Sequence, residues 1–101
     1  MGSRWYELSP DVSMVISKLE MLKEVERTRY AKIMLNELRL AGYRPNEKIY
    51  LERIGNYNMN RWYDKNRFLF MAIEYLKDSD KEMQKTIAQK MLKLFREEQA
   101  M

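Results

Sequence analysis

Among its 101 residues the chain has no cysteine and no histidine. The first absence excludes disulfides and a thiol nucleophile and leaves the redox compartment unread. The second removes the commonest general base, and together they remove most zinc sites. Glycine occurs three times and proline twice, too few turn formers for a multi-stranded sheet. No apolar run approaches the ~20 residues that a membrane-spanning helix needs. No basic-then-apolar leader with a small-residue cleavage site opens the sequence, so the expectation is a non-secreted protein in a reducing cytoplasm. Calcium-loop spacing and phosphate-binding glycine patterns are missing, and no cofactor or metal is expected.

Charge of one sign is not massed either. The net charge of +4 comes from 19 basic and 15 acidic residues, with eight and six in residues 1–45 and seven and six in residues 67–101. A nucleic-acid binder usually concentrates its charge in a patch or tail. The isoelectric point near 9.3 permits a polyanion partner without demanding one.

What is present is 46% apolar and 34% charged residues, rich in Leu, Met, Lys and Glu. That composition favours helices, and the length suits one domain with a modest core. "MGS" reads as an expression remnant over residues 1–3, leaving a single domain over 4–101.

The word Arg-Trp-Tyr occurs twice, at Arg4–Tyr6 and Arg61–Tyr63. At that offset of 57, ten of the 42 positions in residues 3–44 match residues 60–101. The matches include Met14 with Met71, Ile16 with Ile73, Leu19 with Leu76, and Ala31, Met34, Leu35 and Arg39 with their counterparts. One register holding across both stretches favours an internal repeat over 4–42 and 61–99. The alternative is two unrelated amphipathic segments drawn from a helix-rich alphabet. Ser9-Pro10-Asp11 has the form of a helix start, with an N-cap, a first-turn proline and an acid at the positive helix end. Asn66 takes the equivalent place of Ser9. Trp5, Tyr6, Trp62 and Tyr63 are therefore expected first as anchors of two helix entrances and second, with Arg61, as a binding surface.

Apolar residues Val12, Val15, Ile16, Leu19 and Leu22 share one helical face, and Ala31, Met34, Leu35 and Leu38 form a second stripe ending at Gly42. Residues 10–41 contain no internal breaker and allow one bent helix of about 30 residues, but the repeat argues for two. In the second copy Leu69, Ala72, Ile73 and Leu76 precede a break at "DSDKE", where Ser79 and Glu82 have capping-box spacing. Ile87, Met91, Leu94 and Phe95 line a last helix expected to reach Glu98. Between the copies, Pro45 and Asn46 start a short helix that Gly55 ends, and "NYNMN" reads as loop. The expected fold is all-α: a four- or five-helix bundle of two duplicated helical hairpins joined by a short helix. Tyr43, Tyr50 and Tyr57 recur every seven residues but cross a proline and a glycine, and read as coincidence.

Two carboxylate pairs, Glu20 with Glu24 and Asp78 with Glu82, have the spacing for acid–base work. Both sit in charge-rich segments where solvation is the ordinary explanation, and an enzyme is not expected. Lys81, Lys85, Lys93 and Arg96 fall near one side of the last helix and are candidate polyanion contacts. With Arg61, Trp62 and Tyr63 offering cation and stacking surfaces, they support nucleic-acid binding as the alternative function. The favoured expectation is a non-enzymatic protein-interaction or adaptor module with a protein partner, or a homodimer, and no membrane association. It rests on the many methionines and on Met14, Met21 and Val25, which lie off the main stripe of the first helix as a second apolar face.

Overall fold

A computed structural model describes residues 5–56 and 62–99, leaving aside the side chains of 7, 8, 54–56 and 99. The described residues form a 3-10 turn over Trp5–Leu8 and five α-helices with no strand. They are α1 (Pro10–Met21), α2 (Glu24–Leu40), α3 (Glu47–Asn56), α4 (Arg67–Asp78) and α5 (Lys81–Gln99). The bundle is that expected from the sequence, two hairpins joined by the short helix α3. Residues 1–3, expected to be an expression remnant, and most of "NYNMN" lie outside the described residues.

Residues 10–41 are two helices because the chain turns extended at Leu22 and Lys23, with ψ of 159° and 158°. Ser9 caps α1, its hydroxyl accepting from the Val12 N–H at 3.4 Å, and Pro10 opens the helix. Asn66 caps α4 in the same way, accepting from the Leu69 N–H at 3.1 Å. The capping box expected at Ser79 is displaced by one residue. Asp80 accepts from the Met83 N–H at 2.8 Å, while the Ser79 hydroxyl donates back to the Leu76 carbonyl at 2.7 Å and closes α4. Asp80 rather than serine caps α5 because the Ser79 hydroxyl is already spent on the preceding helix. Gly42, at φ +98°, ends α2 with the paired closure of a left-handed cap: its N–H bonds the Arg39 carbonyl and the Tyr43 N–H bonds the Leu38 carbonyl. Asn46 opens α3 by accepting from the Lys48 N–H, and the helix runs through Gly55 to Asn56 rather than ending at the glycine.

The two halves keep one register. The bounds of α1, shifted by 57, are those of α4, and the first residue of α2 shifts onto the first of α5. Val12, Val15, Ile16 and Leu19 are buried, as are Leu69, Ala72, Ile73 and Leu76. In the second helices Tyr30, Ala31, Met34 and Leu38 match Ile87, Ala88, Met91 and Phe95, all buried. Packing crosses between the halves: α2 lies chiefly against α4 and α1 against α5, while the helices of each hairpin touch little. Tyr30 and Phe95 meet at the centre with ring centroids 4.8 Å apart. The Tyr30 hydroxyl continues outward to the Glu98 carboxylate at 2.6 Å, which Arg29 also holds at 2.7 Å. Arg29 first, and Tyr30 after it, hold the Glu98 carboxyl below its ordinary range.

The exception to the matching is α4, which is buried from Leu69 to Leu76 without interruption, Glu74 included. A helix needs neighbours all round to lose its polar face, and α4 has α2, α5 and α3. Among the described residues no helix plays the part of α3 on α1.

Candidate functional site

The repeated words take one geometry. Trp5 stands edge-on to Tyr6 with centroids 5.6 Å apart at 90°, and Trp62 to Tyr63 with 5.4 Å at 87°. Tyr6 and Tyr63 are buried, whereas Trp5 and Trp62 are half-buried and pack on the rim of the core. The tyrosines are thus the deeper members of each word, and the tryptophans keep surface to offer. Arg61 lies outside the described residues.

The surroundings of the two indoles differ. Over Trp62 lies the Arg27 guanidinium, 5.1 Å from the ring centroid. Arg27 is fixed there by bonds from Nε to the Leu19 carbonyl and from Nη2 to the Glu20 carbonyl, and by an ion pair with Glu24. Beside it the Asn66 amide donates to Glu24 and to the Thr28 hydroxyl, at 2.6 and 2.8 Å. The position of Arg27 is taken at the other end by Gln84, whose amide reaches the Lys77 carbonyl, the counterpart of that of Glu20, and the Ser79 carbonyl, each at 3.1 Å. Glutamine satisfies the helix end but is too short to cover an indole. A groove of about 570 Å³ therefore opens beside Trp5, lined also by Lys77, Lys81, Lys85, Gln84 and Asp11. The Trp5 indole N–H is buried and has no hydrogen-bond partner among the described residues.

Of the basic residues singled out on the last helix, the structure brings Lys81 and Lys85 together with Trp5 in this groove. Lys93 and Arg96 are exposed farther along α5 and line neither groove. Lys77 was missed by sequence reading because it ends one helix and Lys81 begins the next. Only the turn at Ser79 and Asp80 makes them neighbours.

A second groove, of about 800 Å³, runs between α2 and α4 with Lys32, Arg39, Arg44 and Arg67 at its rim and one carboxylate, Glu47. Its apolar wall includes Tyr43, Tyr75, Met71 and Phe68, and the Lys32 ammonium lies 4.7 Å from the Phe68 ring centroid. These cations come from two helices and a loop, so no run of the sequence displays them.

Neither carboxylate pair survives as a pair on one helix. Glu20 and Glu24 stand on either side of the break between α1 and α2, and Asp78 and Glu82 on either side of that between α4 and α5. Asp78 instead accepts from the Tyr50 hydroxyl and from Arg53, both at 2.8 Å, and Arg53 reaches buried Glu74 at 3.1 Å. The spacing of Tyr43 and Tyr50, read above as coincidence, puts their hydroxyls 3.1 Å apart, because the turn at Pro45 folds α3 back beside the end of α2. Tyr57 lies outside the described residues. Both rings pack against Tyr75, with centroids at 5.8 and 4.5 Å. Burial, and then the bonds to Tyr43 and Asp78, push the Tyr50 hydroxyl well above its ordinary value, and burial raises Tyr75. Burial works against the charge on Arg53, but Asp78 and Glu74 outweigh it and hold the guanidinium charged. This cluster clamps α3 onto α4 with its polar groups turned to one another.

Among the described residues nothing covers the outer face of α1 in this way. Met14 is 53% and Met21 85% exposed, and Val25, just across the break, is 76% exposed. Ser17 and Lys18, between the methionines, are also exposed. Their positions 57 residues later are Glu74 and Tyr75, which lie under Arg53 and Tyr50 of α3. No helix among the described residues is long and apolar enough to cross a membrane, and no group of three or more acidic side chains there is placed to hold a metal.

The described residues form an all-helical bundle that carries the basic grooves beside Trp5 and between α2 and α4 and exposed apolar side chains on the outer face of α1. No protein-family model, curated protein or solved structure matches the chain.

Proposed function

We propose that the protein is a non-enzymatic adaptor of the cytoplasm that binds a helix of a partner protein along the outer face of α1. One observation carries the reading: α3 covers one face of α4, and the corresponding face of α1, with Met14 and Met21, is open. A partner helix on α1 would occupy the place that α3 occupies on α4. The chemistry asked of it differs, since Ser17, Lys18 and Met21 stand where Glu74, Tyr75 and Asp78 hold α3. An apolar stripe, rather than an arginine and a tyrosine, suits a methionine surface, and methionine adapts to the shape it meets. Burying each exposed methionine would contribute up to about 1.5–3 kcal/mol.

The test is selection of binders from a displayed library of helical peptides, followed by affinity measurement against Met14→Lys/Met21→Lys. The expected binders carry apolar residues at helical spacing and lose about tenfold or more in affinity to the double variant, a loss of roughly 1.4 kcal/mol, while its melting temperature stays unchanged. Binders indifferent to the double variant would sink the reading. Sedimentation of the protein alone provides the other arm: a dimer that the same double variant dissociates assigns the face to a second copy.

A nucleic-acid reading draws on a separate observation, the four cations around the groove between α2 and α4. If a strand lies there, Arg39→Gln/Arg67→Gln weakens oligonucleotide binding and flattens its dependence on salt.

A further inference from the structure

We propose that the groove beside Trp5 is a binding site for a nucleotide unit, with the planar base over the indole and the phosphate on Lys77, Lys81 and Lys85. The inference rests on comparing the two Trp-Tyr words and is independent of the adaptor reading. At Trp62 the site is filled: the flat guanidinium of Arg27 lies over the ring, and Glu24 and Thr28 close around it through Asn66. At Trp5 every one of those positions is exchanged. Arg27 becomes Gln84, Glu20 and Glu24 become Lys77 and Lys81, and Thr28 becomes Lys85. The backbone role of Arg27 is retained, since Gln84 bonds the Lys77 carbonyl. The flat group over the ring is gone and the local charge is reversed.

What remains is a space of about 570 Å³, within the range of small-ligand sites. Its complement can be read from what fills the Trp62 site. A planar group belongs where the guanidinium lies, because an indole offers a stacking face to any π-system. The planar group cannot bring a cation, because three ammonium groups line the groove, and it should carry an anion for them. Lysine acts here as a point charge suited to phosphate. Asp11, the one carboxylate among the lining residues, is an acceptor for the amino edge of a base and would repel a ligand that was anionic throughout. A base joined to a phosphate meets all three conditions. Free nucleotides and units of a single strand share that chemistry.

The experiment uses the full-length chain carrying Trp62→Phe, so that Trp5 is the only indole left of the two. Its fluorescence is followed during titration with ATP and with a short oligodeoxyadenylate, so that both probes carry the same base with its amino edge. Saturable quenching is expected, with the dissociation constant rising about tenfold or more on Lys81→Gln/Lys85→Gln. Gln84→Arg, which installs the residue of the filled site, is expected to abolish the quenching while leaving the melting temperature unchanged. Quenching by ATP but not by the oligonucleotide assigns the site to a free nucleotide, and tighter binding of the oligonucleotide assigns it to a strand. The proposal is overturned if neither probe quenches at low salt. It is equally overturned if quenching persists undiminished in both Gln84→Arg and the double lysine variant.

Discussion

Single residues carry the difference between the two ends of this molecule. Trp5 and Trp62 stand at equivalent places in the repeat, yet only Trp5 has a buried indole N–H with no partner among the described residues. Leaving such a donor unpaired costs about 1–3 kcal/mol, and that cost is removed in Trp5→Phe, which keeps a ring beside Tyr6. The lost ring area costs a comparable amount, so Trp5→Phe is expected to melt within a few degrees of the parent. A large fall in thermal melting would show that the indole N–H has found an acceptor. The other decisive residue is Tyr50. Its hydroxyl is protonated in the fold and its folded value lies above the ordinary 10.0. A group bound more tightly to its proton when folded stabilises the protein fully below the unfolded value. That stability is lost as pH rises through and beyond about 10. Tyr50→Phe should therefore lower stability at neutral pH, by about 1 kcal/mol for the bond to Asp78, and reduce the alkaline destabilisation of the parent. Denaturant unfolding at neutral pH and above pH 10 checks both, and equal alkaline sensitivity in the variant would overturn the assignment.

At the scale of elements, equivalent positions do unequal work. Ser9 makes one long bond to the first turn of α1, at 3.4 Å. Asn66 makes a shorter one to α4 and also ties that helix to Glu24 and Thr28 of α2. Replacing an N-cap by alanine costs about 1 kcal/mol, and Ser9→Ala should cost no more than that. Asn66→Ala breaks the cap and a bridge between helices, and should cost roughly twice as much. Chemical denaturation of the two variants decides it, and equal losses would mean that the bridge adds nothing. The cap at α5 shows the limit of spacing rules. Ser79 and Glu82 had the pattern, but Asp80 makes the bond, because a serine that closes one helix is not at hand to open the next.

For the whole molecule, the crossing of contacts between halves matters most. Since α1 packs on α5 and α2 on α4, neither half holds its own core. A fragment of residues 1–56 should be largely unfolded by circular dichroism, as should residues 57–101, and mixing them should restore helicity. A half that folds cooperatively alone would contradict the crossed packing. The sequence by itself determined the class of fold, a bundle of four or five helices, both polar caps at Ser9 and Asn66, and the buried stripes; that residues 10–41 are two helices was decided by the structure. The former depend on local signals: a helical period of apolar residues, a capping side chain, a glycine able to take positive φ. It also picked out Met14, Met21 and Val25 as surplus apolar surface, since residues off the stripe are visible in the period. Only the tertiary structure decided which face α3 covers, which tryptophan is overlaid by an arginine, and which lysines share a groove with the other. Lys77 and Lys85 meet Trp5 across 72 and 80 positions of chain. Such meetings are set by how helices cross, and crossing depends on side-chain packing along entire faces that no short stretch of sequence contains.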